Sequence, residues 1–286
     1  MGTSGSSLGP GSDTPLVPTW LDEPNDYPLP AGDDIPDGTD NNPDQENPLP
    51  QPDIEPAPIP QRFRDARRNF TMFASSGGGN SGALGRAIGG YVRSGAGGAS
   101  GAVRRMGASR ATAGGVLSVL RGIQRDGVAA TIRRLNLNDL VGRSSTEILV
   151  GLTDTICPDG GSIDEGIARD AWLETLTELD QLGITDLGEM NSDQIQQFFL
   201  TFVTHAIETL LFQSIGTKGL SIAVDLVAIE AFELQLRDYI RRAVRDAFTR
   251  DLTMLEQMSD QDIKDIVDET YHNTWELLEM WGENQE

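Results

Sequence analysis

The residue types that usually perform catalysis are scarce in this sequence, which has two histidines and one cysteine. His205 lies among apolar residues, which favours a buried histidine with satisfied hydrogen bonds, and His272 is expected to be exposed. Cys157 precedes a proline in a turn and has no His or Lys near it in sequence, so a structural role is favoured over a nucleophilic one. No Cys-x-x-Cys or His-x-x-x-His spacing occurs. The sequence therefore predicts no metal site, no cofactor and no enzymatic activity.

The group best suited to chemistry is the amine at the start of the chain. Met followed by Gly is the context in which the initiator methionine is removed, and removal would leave the amine of Gly2 free. An α-amine has a pKa of about 7.7–8.0 against about 10.4 for lysine, so far more of it is neutral at pH 7. Small residues follow, so this arm could thread into another enzyme's active site as a substrate. Met-Gly-x-x-x-Ser, ending at Ser6, also loosely matches the acceptor pattern for N-myristoylation in eukaryotes.

The arm continues into an acidic, proline-rich tract. Residues 1–60 contain fourteen of the fifteen prolines, twelve acidic residues and no basic residue. Proline lacks the backbone donor and fixes φ, so we expect a flexible arm over 1–21 and a disordered linker over 22–60. A tryptophan within an apolar cluster of such a tail often marks a segment that folds on a partner. The predicted partner-binding residues of the arm are Thr3, Ser4, Leu16, Val17, Trp20 and Leu21.

The charge changes sign sharply after the tail. The net charge is −12 over 1–60, +11 over 61–143 and −21 over 144–286, which gives −22 in total. Within the segment 61–110, the spacing of apolar residues predicts a short basic amphipathic helix over 61–74. After this helix, glycine occurs at about every third position, which predicts a flexible or irregular chain unless a partner orders it. The arginines of this basic segment would contact nucleic acid or an acidic partner, or they would pack on the chain's own acidic domain. We favour packing on the acidic domain. The candidate contact residues are Arg62, Arg64, Arg67, Arg68, Arg104 and Arg105.

From residue 111 onward the pattern is helical. Apolar residues recur at three- and four-residue steps, connections are short, and alternating strand patterns are almost absent. Residues 111–286 are therefore predicted to form an acidic all-α domain, a helical bundle of about six to eight helices. Helix N-caps are predicted at Ser144, Ser162, Asn191 or Ser192, and Ser259.

The expected location is the cytoplasm. No apolar run approaches the ~20 residues needed to cross a bilayer, no signal peptide opens the sequence, and a single cysteine fits a reducing compartment. Membrane association through the 62–74 helix is a weaker alternative, because anionic lipid would repel the rest of the chain.

Several blocks of the sequence resemble one family. They include the start MGTSGSSLGPGSDTPLVPTWL, then FRDARRNFTMFASSGGG, ALGRAIGGYVRSG, LNLNDLVGRSSTEILVGLTDTICPDGG, EAFELQLRDYIRRAVRDAF and TWELLEMWG. In this order they resemble the QatB family, a component of the bacterial Qat anti-phage system, over the head and residues 62–282.

The resemblance implies a defence operon with an ATPase (QatA), a QueC-like enzyme (QatC) and a TatD-like nuclease (QatD). QueC-like enzymes activate a 7-deazaguanine carboxylate with ATP and let an amine attack it. The resemblance thus implies Gly2 as the acceptor of a nucleobase, residues 3–21 as the recognition arm, and a bacterial cytoplasmic location. It offers no catalytic residue to place in this chain.

Two functions remain open at this point. The favoured one is a non-enzymatic defence component whose N-terminus is bound and modified by QatC and whose helical domain is a docking scaffold. The alternative is a nucleic-acid-binding adaptor that uses residues 61–143 to present phage DNA to the nuclease.

Overall fold

The described part of the chain consists of helices joined by short connections, with no β-strand among its residues. A computed structural model describes residues 62–77, 79–157, 161–216 and 226–284, the last range without the side chains of 226–232. The predictions for the arm and the proline-rich linker fall outside these ranges. The all-α prediction is confirmed for the described residues.

Eleven α-helices lie in the described ranges. They are α1 (Arg64–Ser75), α2 (Ser81–Gly90), α3 (Ala99–Arg104), α4 (Gly107–Asp126), α5 (Val128–Arg134), α6 (Ser145–Gly151), α7 (Thr153–Ile156), α8 (Ile163–Thr177), α9 (Ser192–Leu211), α10 (Leu226–Ala247) and α11 (Asp260–Glu283). The π-helical segments Tyr91–Ala96 and Phe212–Gly216 extend α2 and α9.

Four helix starts follow the predicted local signals. In each, the cap side chain accepts a hydrogen bond from the backbone N–H three residues on, and the side chain there accepts one from the backbone N–H of the cap. These reciprocal bonds satisfy donors that a helix start leaves without intrahelical partners. The confirmed pairs are Ser144–Glu147, Ser162–Glu165, Asn191–Gln194 and Ser259–Asp262.

Helix α4 is capped in another way. Its N-cap residue, Met106, makes no side-chain cap. Instead, Asp164 in the first turn of α8 accepts hydrogen bonds from the Ala108 amide, at 2.5 Å, and from the Ser109 hydroxyl, at 3.0 Å. A carboxylate at a helix N-terminus also interacts favourably with the helix dipole. This contact ties α4 to α8.

Most of the glycine-rich stretch is helical, so the prediction of flexible or irregular chain is wrong for 81–96 and 99–104. The Asn80 side chain caps α2 by accepting from the Ala83 amide at 3.0 Å. Ala87, Ile88 and Tyr91 are fully buried. Each helical glycine costs about 1 kcal/mol relative to alanine, and burial of this apolar face offsets that cost.

One hydrophobic core joins the helices of the basic and acidic segments. Helix α11 contacts α2, α3, α4 and α10, and α4 contacts α5, α8 and α9. The buried side chains form one cluster that includes Phe70, Trp172 and Trp275. The described residues all belong to one compact unit, residues 55–286.

Two apolar helices bear on the membrane question. The apolar face of α1, including Phe70 and Phe73, is buried in the core, which removes the free face that the membrane alternative required. Contrary to the expectation from the sequence, Ser192–Ile215 is long and apolar enough to span a bilayer. However, 72% of its apolar window is buried inside the protein, as in the core helix of a soluble protein.

Candidate arginine cluster for an anionic partner

Many arginines of the chain are paired with carboxylates. Arg110 lies 2.6 Å from Asp268, Arg121 lies 2.5 Å from Asp260, and Arg93 lies 3.5 Å from Glu283. Each of these pairs joins the basic segment 61–143 to the acidic segment 144–286. For these arginines, the favoured prediction of packing on the chain's own acidic domain is confirmed.

The six candidate contact arginines behave differently. Among the described residues, no carboxylate lies within 4.0 Å of any of their guanidinium groups. Arg133 on α5 and Arg242 on α10 also lack such a carboxylate, and both are exposed. The candidates are concentrated on α1 and at the end of α3. Intramolecular pairing therefore accounts for much of the positive charge of 61–143 but leaves this group uncompensated.

Three of the six surround one aromatic ring. The guanidinium carbons of Arg62, Arg67 and Arg105 lie 5.8, 5.3 and 5.9 Å from the centroid of Phe63. Such cation–π contacts stabilise a cation modestly without neutralising it. We call these four residues the arginine cluster. All four are half-buried.

Backbone carbonyls, rather than acids, hold two of the guanidinium groups. Arg67 donates to the Ser214 carbonyl from Nε, at 3.3 Å, and from Nη2, at 3.1 Å. Arg105 donates from Nη2 to the Gly95 carbonyl at 3.3 Å. A carbonyl dipole orients a guanidinium but leaves its full charge in place, so the cluster remains a site of net positive charge.

Glycines position the ring at the centre of the cluster. Phe63 stacks on Tyr91 with the ring centroids 5.7 Å apart and the planes 17° apart. A side chain at Gly95 would occupy the space of the Phe63 ring. Gly97 and Gly98, with φ of +85° and +83°, then turn the chain into α3, whose end carries Arg105. The glycine-rich sequence thus brings Arg105 to the start of α1.

A buried phenol lies beside the cluster. The Tyr91 hydroxyl has no hydrogen-bond partner among the described residues, although Ser214 and Arg105 lie near enough to influence it. Burial raises the pKa of Tyr91, and Ser214, Arg105 and Arg62 partly oppose that rise. The phenol therefore stays neutral and does not compensate the arginines.

The other candidates are placed differently. Arg64, Arg68 and Arg104 are exposed. The structure thus brings Arg62, Arg67 and Arg105 together around Phe63, and the remaining three extend the positive surface from α1 and α3. Gly2 and the other predicted residues of the arm lie outside the described residues.

A second charged cluster surrounds His205. The ring is 2% exposed, with Nε2 3.1 Å from a Glu178 oxygen and Nδ1 3.6 Å from a Glu208 oxygen. Arg237 Nε donates to Glu208 at 2.9 Å, and Arg241 Nη2 donates to Glu178 at 3.4 Å. The prediction of a buried, satisfied histidine is confirmed. Both glutamates were missed: Glu178 lies 27 residues away and leaves no local signal, whereas Glu208 lies three residues after His205 on the same helix and its spacing was visible in the sequence.

The remaining candidates for chemistry are not activated. Cys157 is buried, and burial raises the pKa of its thiol to about 11. His272 is partly exposed and lies 3.1 Å from Glu276 on its own helix. The described residues contain no group of His, Cys, Asp and Glu that could hold a metal ion.

Fold and site together define a class of protein: an all-α body with an uncompensated arginine cluster and, in its described residues, no assembled catalytic group. The family model described as "Qat anti-phage system associated protein QatB" matches residues 97–278, more than half of the chain. The chain therefore belongs to the QatB family and is a component of the Qat anti-phage system. No curated protein and no solved structure matches it.

Proposed function

We propose that this chain is a non-enzymatic defence component whose N-terminal amine is the substrate of a QueC-like partner, QatC. After removal of Met1, Gly2 would be joined to a 7-deazaguanine, and the helical body would dock the partner. Membership of the QatB family, combined with the Met-Gly start of a slim arm, carries the proposal. QatA and QatD are the other expected partners, in the bacterial cytoplasm.

The reaction requires little of this chain beyond a neutral amine. The Gly2 nitrogen attacks the activated carboxyl carbon, the activating group leaves with its electron pair, and the nitrogen loses a proton to give an amide. Thr3 and Ser4 would enter the partner's active site behind Gly2, and the apolar residues Leu16, Val17, Trp20 and Leu21 would bind outside it. Large apolar side chains of this kind anchor disordered segments on folded partners.

The competing nucleophiles are poorly suited to the reaction. Cys157 is buried and protonated at neutral pH. Lys264 is paired with Asp268 at 2.7 Å, and Lys218 is the remaining lysine of the sequence. An α-amine has a larger neutral fraction than a lysine at pH 7, so it is the more reactive amine.

The test is the intact mass of the chain produced with and without QatC, followed by mass analysis of the N-terminal peptide. We expect an adduct on Gly2 only when QatC is present. The double variant Lys218→Arg/Lys264→Arg should keep the adduct, since it leaves the N-terminus unchanged. An unmodified N-terminus in both samples would contradict the proposal.

The uncompensated arginines favour one alternative, a nucleic-acid-binding adaptor for the nuclease QatD. Binding of a duplex oligonucleotide should then fall steeply with salt, because each neutralised phosphate releases counterions. The variant Arg67→Glu/Arg105→Glu should reduce both the affinity and the salt slope. Absence of binding at low salt would exclude this function. The net charge of −22 opposes the approach of a polyanion.

A further inference from the structure

The arginine cluster is an uncompensated positive site on a strongly acidic chain. Arg62, Arg67 and Arg105 lie around one ring, and no described carboxylate neutralises them. Like charges brought together repel, and the effect is largest for partly desolvated groups. All three side chains are half-buried. An anion seated among them would remove that repulsion.

The chain contains a matching set of acids immediately before the cluster. Residues 1–60 carry twelve acidic residues and no basic residue, so these acids have no cation within their own segment. Glu55 precedes Arg62 by seven residues, and Asp53 by nine. At about 3.3–3.6 Å per residue, the acids of 33–55 can reach any part of the cluster.

We propose that the arginine cluster is the docking site for the acidic stretch 33–55 of the same chain. Carboxylates accept paired hydrogen bonds from guanidinium groups, and such charge-assisted bonds are stronger than neutral ones. A short tether gives the acids an effective concentration on the order of millimolar, which makes several weak contacts add up. Prolines within the stretch reduce the entropy that docking removes.

The tether favours this occupant over nucleic acid. The charge of −21 on residues 144–286 opposes both anions, but a duplex must approach from solution whereas the stretch 33–55 is covalently joined to the cluster. The stretch 33–55 is joined to Arg62 by six residues, 56–61, and carries eight carboxylates. Docking would leave residues 1–32 as the free arm, and the length of this arm would limit how far Gly2 can reach from the arginine cluster. The proposal of docking is separate from the proposed modification of Gly2 and does not depend on it.

Paramagnetic relaxation enhancement in the full chain tests the contact. A nitroxide is attached at Asn42→Cys in a Cys157→Ser background, and peak intensities are compared for the backbone amides of 62–68, 104–106 and 128–134. We expect a roughly twofold intensity loss at 62–68 and 104–106, because a tethered contact is populated most of the time. The amides of α5, 128–134, should be unaffected. At about 1 M salt, where the Debye length is about 3 Å, the loss should disappear.

Matched variants separate docking from a general charge effect. Arg67→Glu/Arg105→Glu should abolish the intensity loss, and Arg133→Glu/Arg242→Glu, which reverses two exposed arginines outside the cluster, should retain it. Because Arg67 also contacts Ser214, a second variant leaves the folded body unchanged: all eight acidic residues of 33–55 are replaced by Asn or Gln. It should abolish the loss as well.

The proposal is overturned if the wild-type chain shows no intensity loss at 62–68, or if the loss survives neutralisation of 33–55. If the loss is absent and a duplex oligonucleotide shifts the same amides, the cluster is a nucleic-acid site instead. The measurement is made without QatC, so its result is independent of whether Gly2 is modified.

Discussion

Gly89 of α2 and Gly282 of α11 meet backbone to backbone. A Cβ placed on Gly89 would lie 2.8 Å from the Cα of Gly282, and a Cβ on Gly282 would lie 2.6 Å from the Cα of Gly89. Neither position can carry a side chain without moving one of the two helices. The pair lets α2 lie directly against α11, which explains how a glycine-rich sequence becomes part of the core.

Alanine at either position should therefore destabilise the protein. Gly89→Ala or Gly282→Ala forces the helices apart, and overpacking of this kind costs about 1–3 kcal/mol. Gly166→Ala is the matched control, because a Cβ on this glycine of α8 meets nothing within 4 Å. The control should gain about 0.4–1 kcal/mol from reduced unfolded-state entropy. Urea unfolding of the three variants measures the difference, and equal effects at all three sites would disprove the close contact.

The buried indole of Trp172 depends on a single acceptor. Its Nε1 donates to the Thr153 hydroxyl at 3.1 Å, and both side chains are buried. Thr153→Val keeps the shape but leaves the indole N–H without a partner, which should cost about 1–3 kcal/mol. Thr155→Val, at an exposed position of the same short helix, is the control and should change little. If both variants lose the same stability, the hydrogen bond is not the cause.

Cys157 should be nearly inert in the folded protein. Burial raises the pKa of its thiol to about 11, against about 8.5 in an unfolded chain. At pH 8 the reactive thiolate is therefore scarce, and alkylation by iodoacetamide should be slow until urea unfolds the protein. Alkylation at the same rate with and without urea would contradict the buried placement.

Because the pKa of Cys157 is raised in the folded protein, we expect the protein to lose stability at alkaline pH. Because its pKa is higher in the folded state, its contribution to stability is complete below about pH 8.5 and is lost as pH rises toward 11. Cys157→Ala should flatten this part of the curve between pH 8 and pH 10.5, measured as the urea midpoint. An unchanged slope in the variant would show that other groups produce the loss.

The behaviour in acid has the opposite sign. Hydrogen bonds from Arg125 and Arg134 lower the pKa of Asp126 to about 2, below the value of about 3.9 in an unfolded chain. The stability that Asp126 contributes is therefore present above about pH 4 and is lost as pH falls toward 2. Asp126→Asn should reduce the difference in urea midpoint between pH 6 and pH 3. Asp170→Asn, at an exposed position on α8, is the control and should leave that difference unchanged.

Sequence reasoning succeeded where the determining contacts are local. Ser144, Ser162, Asn191 and Ser259 each begin a helix because their partner lies three residues away. Such signals are visible in any window of four residues. The apolar periodicity around His205 likewise predicted its burial. The all-α class follows from many such local signals together.

Sequence reasoning failed where the outcome depends on a distant residue. Gly89 packs directly against Gly282 of a distant helix, and α4 is capped by Asp164, which lies 56 residues from Ala108. Tertiary packing also determines which group each arginine contacts. Arg110 forms an ion pair with Asp268, whereas Arg105 donates a hydrogen bond to the backbone carbonyl of Gly95. The arginine cluster was therefore predicted as a set of residue types, and its arrangement around Phe63 emerged from the fold.

The charged network around His205 yields the last prediction. Glu208 is almost fully buried, and Arg237 donates to it at 2.9 Å. Burial works against the charge on Arg237, but the hydrogen bond and charge of Glu208, with Glu178 and Glu174, raise its pKa overall. Arg237→Met leaves the Glu208 carboxylate buried without its closest cation, which should cost about 2 kcal/mol or more. Arg242→Met, on the exposed side of the same helix, should change stability little.

A double-mutant cycle identifies the cause of that loss. If Arg237→Met destabilises the protein by leaving Glu208 unpaired, adding Glu208→Leu should restore part of the lost stability, because the buried charge is then gone. If the two substitutions simply add, packing rather than charge holds α10 against α9. The cycle thus distinguishes a network that stabilises by mutual neutralisation from one whose charges are incidental to the core.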